Sequence, residues 1–213
     1  VTESFLGLFP ELERKIVLIE NILPEKLIQR QAEAFCVEAE MPEKGIRLLS
    51  VGRFCTAKNF DNVPDICARL LQSGLDAYWY LIGFGGDEAL IRQKIAEAGM
   101  ENRVIMLGKK ENPYPYLKAC DLYVQPSRYE GKCVTVREAQ MLGKPVVITR
   151  YATSASQLEE GVDGVIVPLD NAGCAAGIAE LLQDPAGMTQ LSETCKKLNY
   201  SNAKETEKLE QLI

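Results

Sequence analysis

Glu130 and Glu138, separated by seven residues in the segment PSRYEGKCVTVREAQMLGKPVV, are the acids best placed to do chemistry in this chain. Glu130-Gly131-Lys132-Cys133 reads as a loop and Val134 to Leu142 as a helix ending at Gly143. Glu130 is therefore expected at the carboxyl edge of a sheet, beside the backbone N–H groups of the following turn. Such a turn offers an anion the N-terminus of a helix, with one carboxylate before the helix and one within it. Two plainer readings compete. Thr135 and Glu138 have the spacing of a capping box, and Glu130 can be an ordinary loop acid.

A second loop, VGRFCTAKNF, puts Gly52 at a turn, Arg53 beside it and Lys58 five residues on, ahead of a helix. Two cations near a helix N-terminus suit a phosphate, although the same pair can be two solvated surface charges. A third loop, LIGFGGDEAL, carries Gly83, Gly85 and Gly86 before the acids Asp87 and Glu88. The glycines permit close backbone approach, and the acids complement a helix dipole. Their spacing does not complete the dinucleotide fingerprint, so a dehydrogenase is disfavoured.

Composition removes several other chemistries. There is no histidine, so Ser-His-Asp and Cys-His catalysis cannot run within the chain. Seven cysteines, with no pair two residues apart, suggest reduced, buried thiols in a cytosolic protein rather than a zinc site or a disulfide scaffold. The net charge of −6 disfavours a nucleic-acid-binding surface. No apolar run reaches the roughly 18–20 residues that span a bilayer, and no basic-then-apolar leader marks the chain for export. At 213 residues and 46% hydrophobic content, the chain can build one substantial core.

The elements that must hold these loops alternate. Strands are expected at 16–20, 46–51, 78–83, 103–107, 121–125, 145–149 and 165–168. Helices are expected at 61–73, 87–98, 114–119, 135–142, 153–160 and 172–183. Alternation at this spacing means βαβ units and an α/β fold with a Rossmann-like, doubly wound parallel sheet, whose ligands bind beyond the carboxyl ends of the strands. The ends depart from that pattern. Residues 1–20 give a short helix and a strand, 24–40 a polar, helix-prone connector, and 186–198 and 201–213 two more helices, the last with a Leu209, Leu212, Ile213 stripe.

The series VGRFCTAKNF, LIGFGGDEALI, NRVIMLGK, LKACDLYVQPSRYEGKCVTVREAQMLGKPVVIT and GVDGVIVPLDN resembles the C-terminal half of a retaining GT-B glycosyltransferase. It is most similar to family four, or group 1, the bacterial polysaccharide and glycolipid transferases. The resemblance implies residues 1–23 as the tail of a missing N-terminal domain and 24–44 as interdomain linker. It implies 45–185 as the nucleotide-sugar-binding domain and 186–213 as crossover helices.

By the same resemblance, Gly52, Arg53 and Lys58 would serve the donor diphosphate, and Glu130, the catalytic residue, would approach the donor sugar, positioning it and supporting it electrostatically. Glu138 would hold the ribose hydroxyls, Lys109 and Lys110 would lie by the base, and Gly83 and Gly85 would line the cleft. Gly131, Lys132, Cys133 and Val134 would bring backbone amides to sugar and phosphate. Where the family has Glu-Gly-Phe-Gly this chain has Glu-Gly-Lys-Cys, which changes the shape of the sugar pocket.

The implied activity is metal-independent, cofactor-free hexosyl transfer from a nucleotide-diphosphate sugar, with UDP as the favoured nucleotide, to a saccharide or glycolipid acceptor. The acceptor site, and any peripheral membrane association, would belong to the missing domain, and this chain alone would be inactive. A GT-B epimerase or phosphorylase and a non-catalytic nucleotide-binding module are the alternatives.

Overall fold

The computed structural model describes residues 2–17, 19–200, 202 and 204–210. Its sheet comprises β1 (Ile46–Val51), β2 (Ala77–Ile82), β3 (Val104–Gly108), β4 (Leu122–Gln125), β5 (Val146–Thr149) and β6 (Val165–Val167). All pair in parallel, in the order β3-β2-β1-β4-β5-β6. The helices are α1 (Thr2–Leu8), α2 (Glu25–Ala32), α3 (Val63–Gln72), α4 (Glu88–Glu97), α5 (Tyr114–Ala119), α6 (Val134–Met141), α7 (Asn171–Leu182), α8 (Pro185–Lys197) and α9 (Lys204–Glu210).

Successive side chains of a strand point to opposite faces, and here both faces are covered. Leu48, Trp79 and Leu81 join one apolar cluster with Ile66 and Leu70 of α3 and Ile178 of α7. Leu49, Tyr80 and Ile82 join another with Leu117 of α5 and Val136 and Ala139 of α6. This is why the central strands read as continuous apolar runs. The buried polar residue of β1, Ser50, is fully paired: it accepts the Trp79 indole N–H at 2.9 Å and donates to the Val124 carbonyl.

The structure corrects the expectations outside the sheet. Residues 16, 17, 19 and 20 form no strand and join none of the sheet's described pairings; Leu18 falls outside the described residues. The helix expected at 153–160 is a single 3-10 turn, Ser154–Ser156. Hydroxyls there bond the backbone instead, Ser156 to the Thr153 carbonyl and Thr153 to that of Glu130. The connector helix stops at Ala32, and of the stripe expected of Leu209, Leu212 and Ile213 the last two residues fall outside the described ones, while Leu209 stands in α9.

The two ends of the chain meet. The Glu20 amide donates to the Glu205 carboxylate at 2.9 Å and the Leu23 amide to Asn202 Oδ1 at 3.1 Å. Among the described residues no helix is long and apolar enough to cross a membrane.

Candidate functional site

Strand order reverses between β1 and β4, which are hydrogen-bonded neighbours although three βαβ connections separate them in sequence. At such a switch point the connections leave on opposite faces and open a crevice beyond the carboxyl ends. The loops rimming it are those after β1 (Gly52–Lys58) and β4 (Pro126–Cys133), the two carrying Arg53, Lys58 and Glu130.

The loop after β2 lies along the loop after β1. Gly52 N–H donates to Ile82 at 3.0 Å, Phe54 N–H to Phe84 at 2.8 Å and Asp87 N–H to Phe54 at 3.0 Å. A Cβ on Gly83 would sit 1.8 Å from the Gly52 oxygen, and one on Gly85 2.3 Å from that of Phe54. Backbone-on-backbone packing thus accounts for both glycines without any ligand. A Cβ on Gly52 would crowd Lys58 Cε at 3.0 Å, so Gly52 leaves the lysine stem its path across the end of β1.

That path ends on Glu130. Lys58 Nζ lies 2.5 Å from Glu130 Oε1, and the two side chains are only 17% and 12% exposed. The Ser127 hydroxyl donates to the same oxygen at 2.7 Å. The Cys133 thiol stands 3.9 Å from the ammonium, its own pKa pushed up by burial. The cation and the acid expected to serve different parts of one ligand are therefore direct partners. Arg53, by contrast, is exposed, and among the described residues it makes no hydrogen bond or ion pair.

Loop 126–133 is pinned at Ser127, Arg128 and Glu130. The Thr149 and Thr153 hydroxyls bond the carbonyls of Ser127 and Glu130 at 2.5 and 2.7 Å. Arg128 grips Asp61 through two bonds of 2.9 and 2.7 Å and also the Thr56 carbonyl, tying this loop to the one after β1. Tyr129, 62% exposed, turns outward.

The capping box is not formed. Cys133 is the N-cap of α6 and makes no side-chain cap, which places Thr135 at the second helical position, two residues too late for a capping box. Glu138 instead accepts the Tyr114 hydroxyl at 2.8 Å, and burial raises its pKa more than that bond lowers it. An acid held in a half-dry pocket by one phenol keeps acceptor capacity for another hydroxyl. The Cys133 amide is less available than expected: it donates to Gln157 Oε1 at 2.7 Å, so it anchors the turn to the loop after β5. Gly131 and Lys132 are exposed, with the Lys132 ammonium 2.5 Å from Glu20. Val134 opens α6 half-buried.

The two lysines after β3 part company. Lys110 pairs with Glu40, which also accepts the Tyr116 hydroxyl at 2.9 Å, and its side chain is thus structural. Lys109 stands exposed, 5.4 Å over the ring of Phe84. Ser127, Arg128, Tyr114, Gln157 and the two threonines escaped sequence reasoning. Ser127 alone left a trace, as a polar residue two positions after an apolar strand and three before Glu130.

A family model described as "Glycosyl transferases group 1" matches residues 33–205. Among curated proteins, the chain is 29% identical over 147 residues to the lipopolysaccharide core biosynthesis glycosyltransferase LpsE of Rhizobium meliloti, covering 68% of this chain and 42% of that protein. It is 28% identical over 181 residues to LpsD of the same organism, covering 84% and 51%. The chain thus spans about half the length, or less, of these relatives. Among solved structures, HepE of Anabaena in complex with UDP superposes with a TM-score of 0.78 at 19% identity, covering 92% of this chain and 56% of that one. A glycosyltransferase from Rickettsia africae gives 0.79 at 17%, covering 99% and 60%. At these identities the likeness is one of fold, the Rossmann-like half of a GT-B enzyme.

Proposed function

We propose, from the premise that this chain belongs to the glycosyl transferases group 1 family, that its switch-point crevice holds a nucleotide-diphosphate sugar for hexosyl transfer with retention of configuration. A UDP-sugar is favoured, since HepE was solved with UDP. The observation that carries the reading is the Lys58–Glu130 pair at the mouth of β1 and β4, with Arg53, unpaired among the described residues, five positions before Lys58. In this reading the diphosphate draws the Lys58 ammonium partly away from Glu130 and adds Arg53 as a second cation. The N-terminus of α6 contributes its dipole. The carboxylate freed in part from Lys58 faces the sugar as positive charge grows at its anomeric carbon.

Charge developing on the departing diphosphate is met by groups already in position, a contribution commonly worth ~3–4 kcal/mol for each donor. In a front-side transfer the bond from the anomeric carbon to the diphosphate oxygen breaks as the acceptor oxygen bonds to the same face. The leaving phosphate then takes the acceptor's proton, and no histidine is required. Glu138 accepts from a ribose hydroxyl. The acceptor would be a saccharide or glycolipid held by a second, N-terminal domain, of which residues 1–23 form the tail and to which 24–44 are the linker. Titration with UDP, GDP and ADP tests the reading: saturable binding of one of them supports it, and binding of none overturns it.

A further inference from the structure

Tyr123, Gln125 and Ser127 stand at alternate positions along β4 and the loop that leaves it, and all three are wholly buried. A central parallel strand tolerates such groups only when they are paired, and here they pair with one another. The Tyr123 hydroxyl donates to Gln125 Oε1 at 2.6 Å and Gln125 Nε2 to Ser127 Oγ at 2.9 Å. Ser127 donates to Glu130 Oε1 at 2.7 Å. The direction of this chain is fixed from its last member. An ionised carboxylate only accepts, so the single Ser127 proton is committed to Glu130, and Ser127 must in turn receive from the amide nitrogen of Gln125. That orients the amide, leaving its oxygen to face Tyr123, which must donate.

We propose that Ser127 and Gln125 are positioning residues for Glu130. The one-way relay from the core, together with Lys58, anchors Oε1, and it presents Oε2, to which nothing donates among the described residues, toward the donor sugar. This rests on the donor-site reading above. Hydrogen bonds in such a chain polarise one another, so each upstream donor strengthens the last one. Truncating Ser127 releases Oε1 from one of its two partners and leaves the Gln125 amide without an acceptor. Truncating Gln125 frees the serine hydroxyl to turn away.

Calorimetry on the full-length protein, comparing UDP-glucose with UDP, tests this. Ser127→Ala should weaken UDP-glucose about fivefold while leaving UDP within about twofold. Ser127→Thr should restore UDP-glucose binding, and Gln125→Met should weaken it by less than Ser127→Ala does. A folded Ser127→Ala protein with the wild-type UDP-glucose/UDP ratio overturns the proposal. Should Ser127→Ala fail to fold, a Gln125→Met protein with that wild-type ratio does the same. Wild-type protein that binds neither ligand overturns the donor-site reading and the proposal with it, whereas binding with unmoved variants overturns the proposal alone.

Discussion

Lys58 and Glu130 lie 72 residues apart in sequence and 2.5 Å apart in space, and each is the other's principal charge partner. The parallel pairing of β1 with β4 brings them together, since it sets the loop after one strand against the loop after the other. Their side chains are largely shielded, so removing one member strands the other in a poor solvent. Lys58→Met and Glu130→Gln singly should each cost about 1–3 kcal/mol of stability, and the double variant should cost less than the two together. Urea unfolding of the four proteins checks this, with additivity the contrary result.

Glu138 should trade stability for binding. Burial raises its pKa, so the folded protein holds that proton more tightly than the unfolded chain. The stability this contributes is present below the usual glutamate range and is lost as pH rises through the raised folded value. Glu138→Gln keeps an acceptor for Tyr114 and never ionises. It should melt higher than wild type at pH 7–8, a gain that shrinks toward pH 4, and it should bind UDP more weakly. Melting curves across that range, with a UDP titration at pH 7.5, provide the measurement.

Gly83 and Gly86 should respond very unequally to the same change. A methyl on Gly83 meets the Gly52 carbonyl at 1.8 Å, whereas nothing lies within 4 Å of one on Gly86. Gly83→Ala should destabilise by about 3 kcal/mol or more through loop displacement, and Gly86→Ala should stay within about 0.5 kcal/mol. Denaturant midpoints of the two variants compare them directly.

The 213-residue chain should bind the donor nucleotide without transferring sugar at an enzyme-like rate. Holding two substrates in register supplies roughly 7–11 kcal/mol of a bimolecular barrier, and a donor site alone cannot supply it. Product formation from matched donor and acceptor, assayed with the chain alone and with the full-length protein, checks this.

The sheet was legible because its strands are covered on both faces: IRLLSV and the apolar runs after it could belong to little else, and β1 lies at 46–51 as expected. The site loops were legible because they follow strands. The partnerships were not. No spacing indicates that Lys58 and Glu130 touch, that Arg128 clasps Asp61, or that Glu138 belongs to Tyr114 rather than Thr135, since each pair is joined by tertiary packing across 24 to 72 residues. Gly83 and Gly85 were read as ligand-facing because glycine signals close approach without saying to what. The run IVLIE misled for a related reason, since strand propensity cannot by itself supply a neighbouring strand.

The central claim is that Arg53 and Lys58 receive a diphosphate. Calorimetric titration of UDP and uridine into wild-type, Arg53→Ala and Lys58→Ala proteins tests it most directly. Charge-assisted contacts of this kind are worth about 1.5–3 kcal/mol, so each variant should weaken UDP by about tenfold or more and leave uridine within about twofold. Arg53→Ala should do so without lowering the melting temperature, because among the described residues it has no partner to strand. Equal losses for UDP and uridine, or none for either, would contradict the assignment.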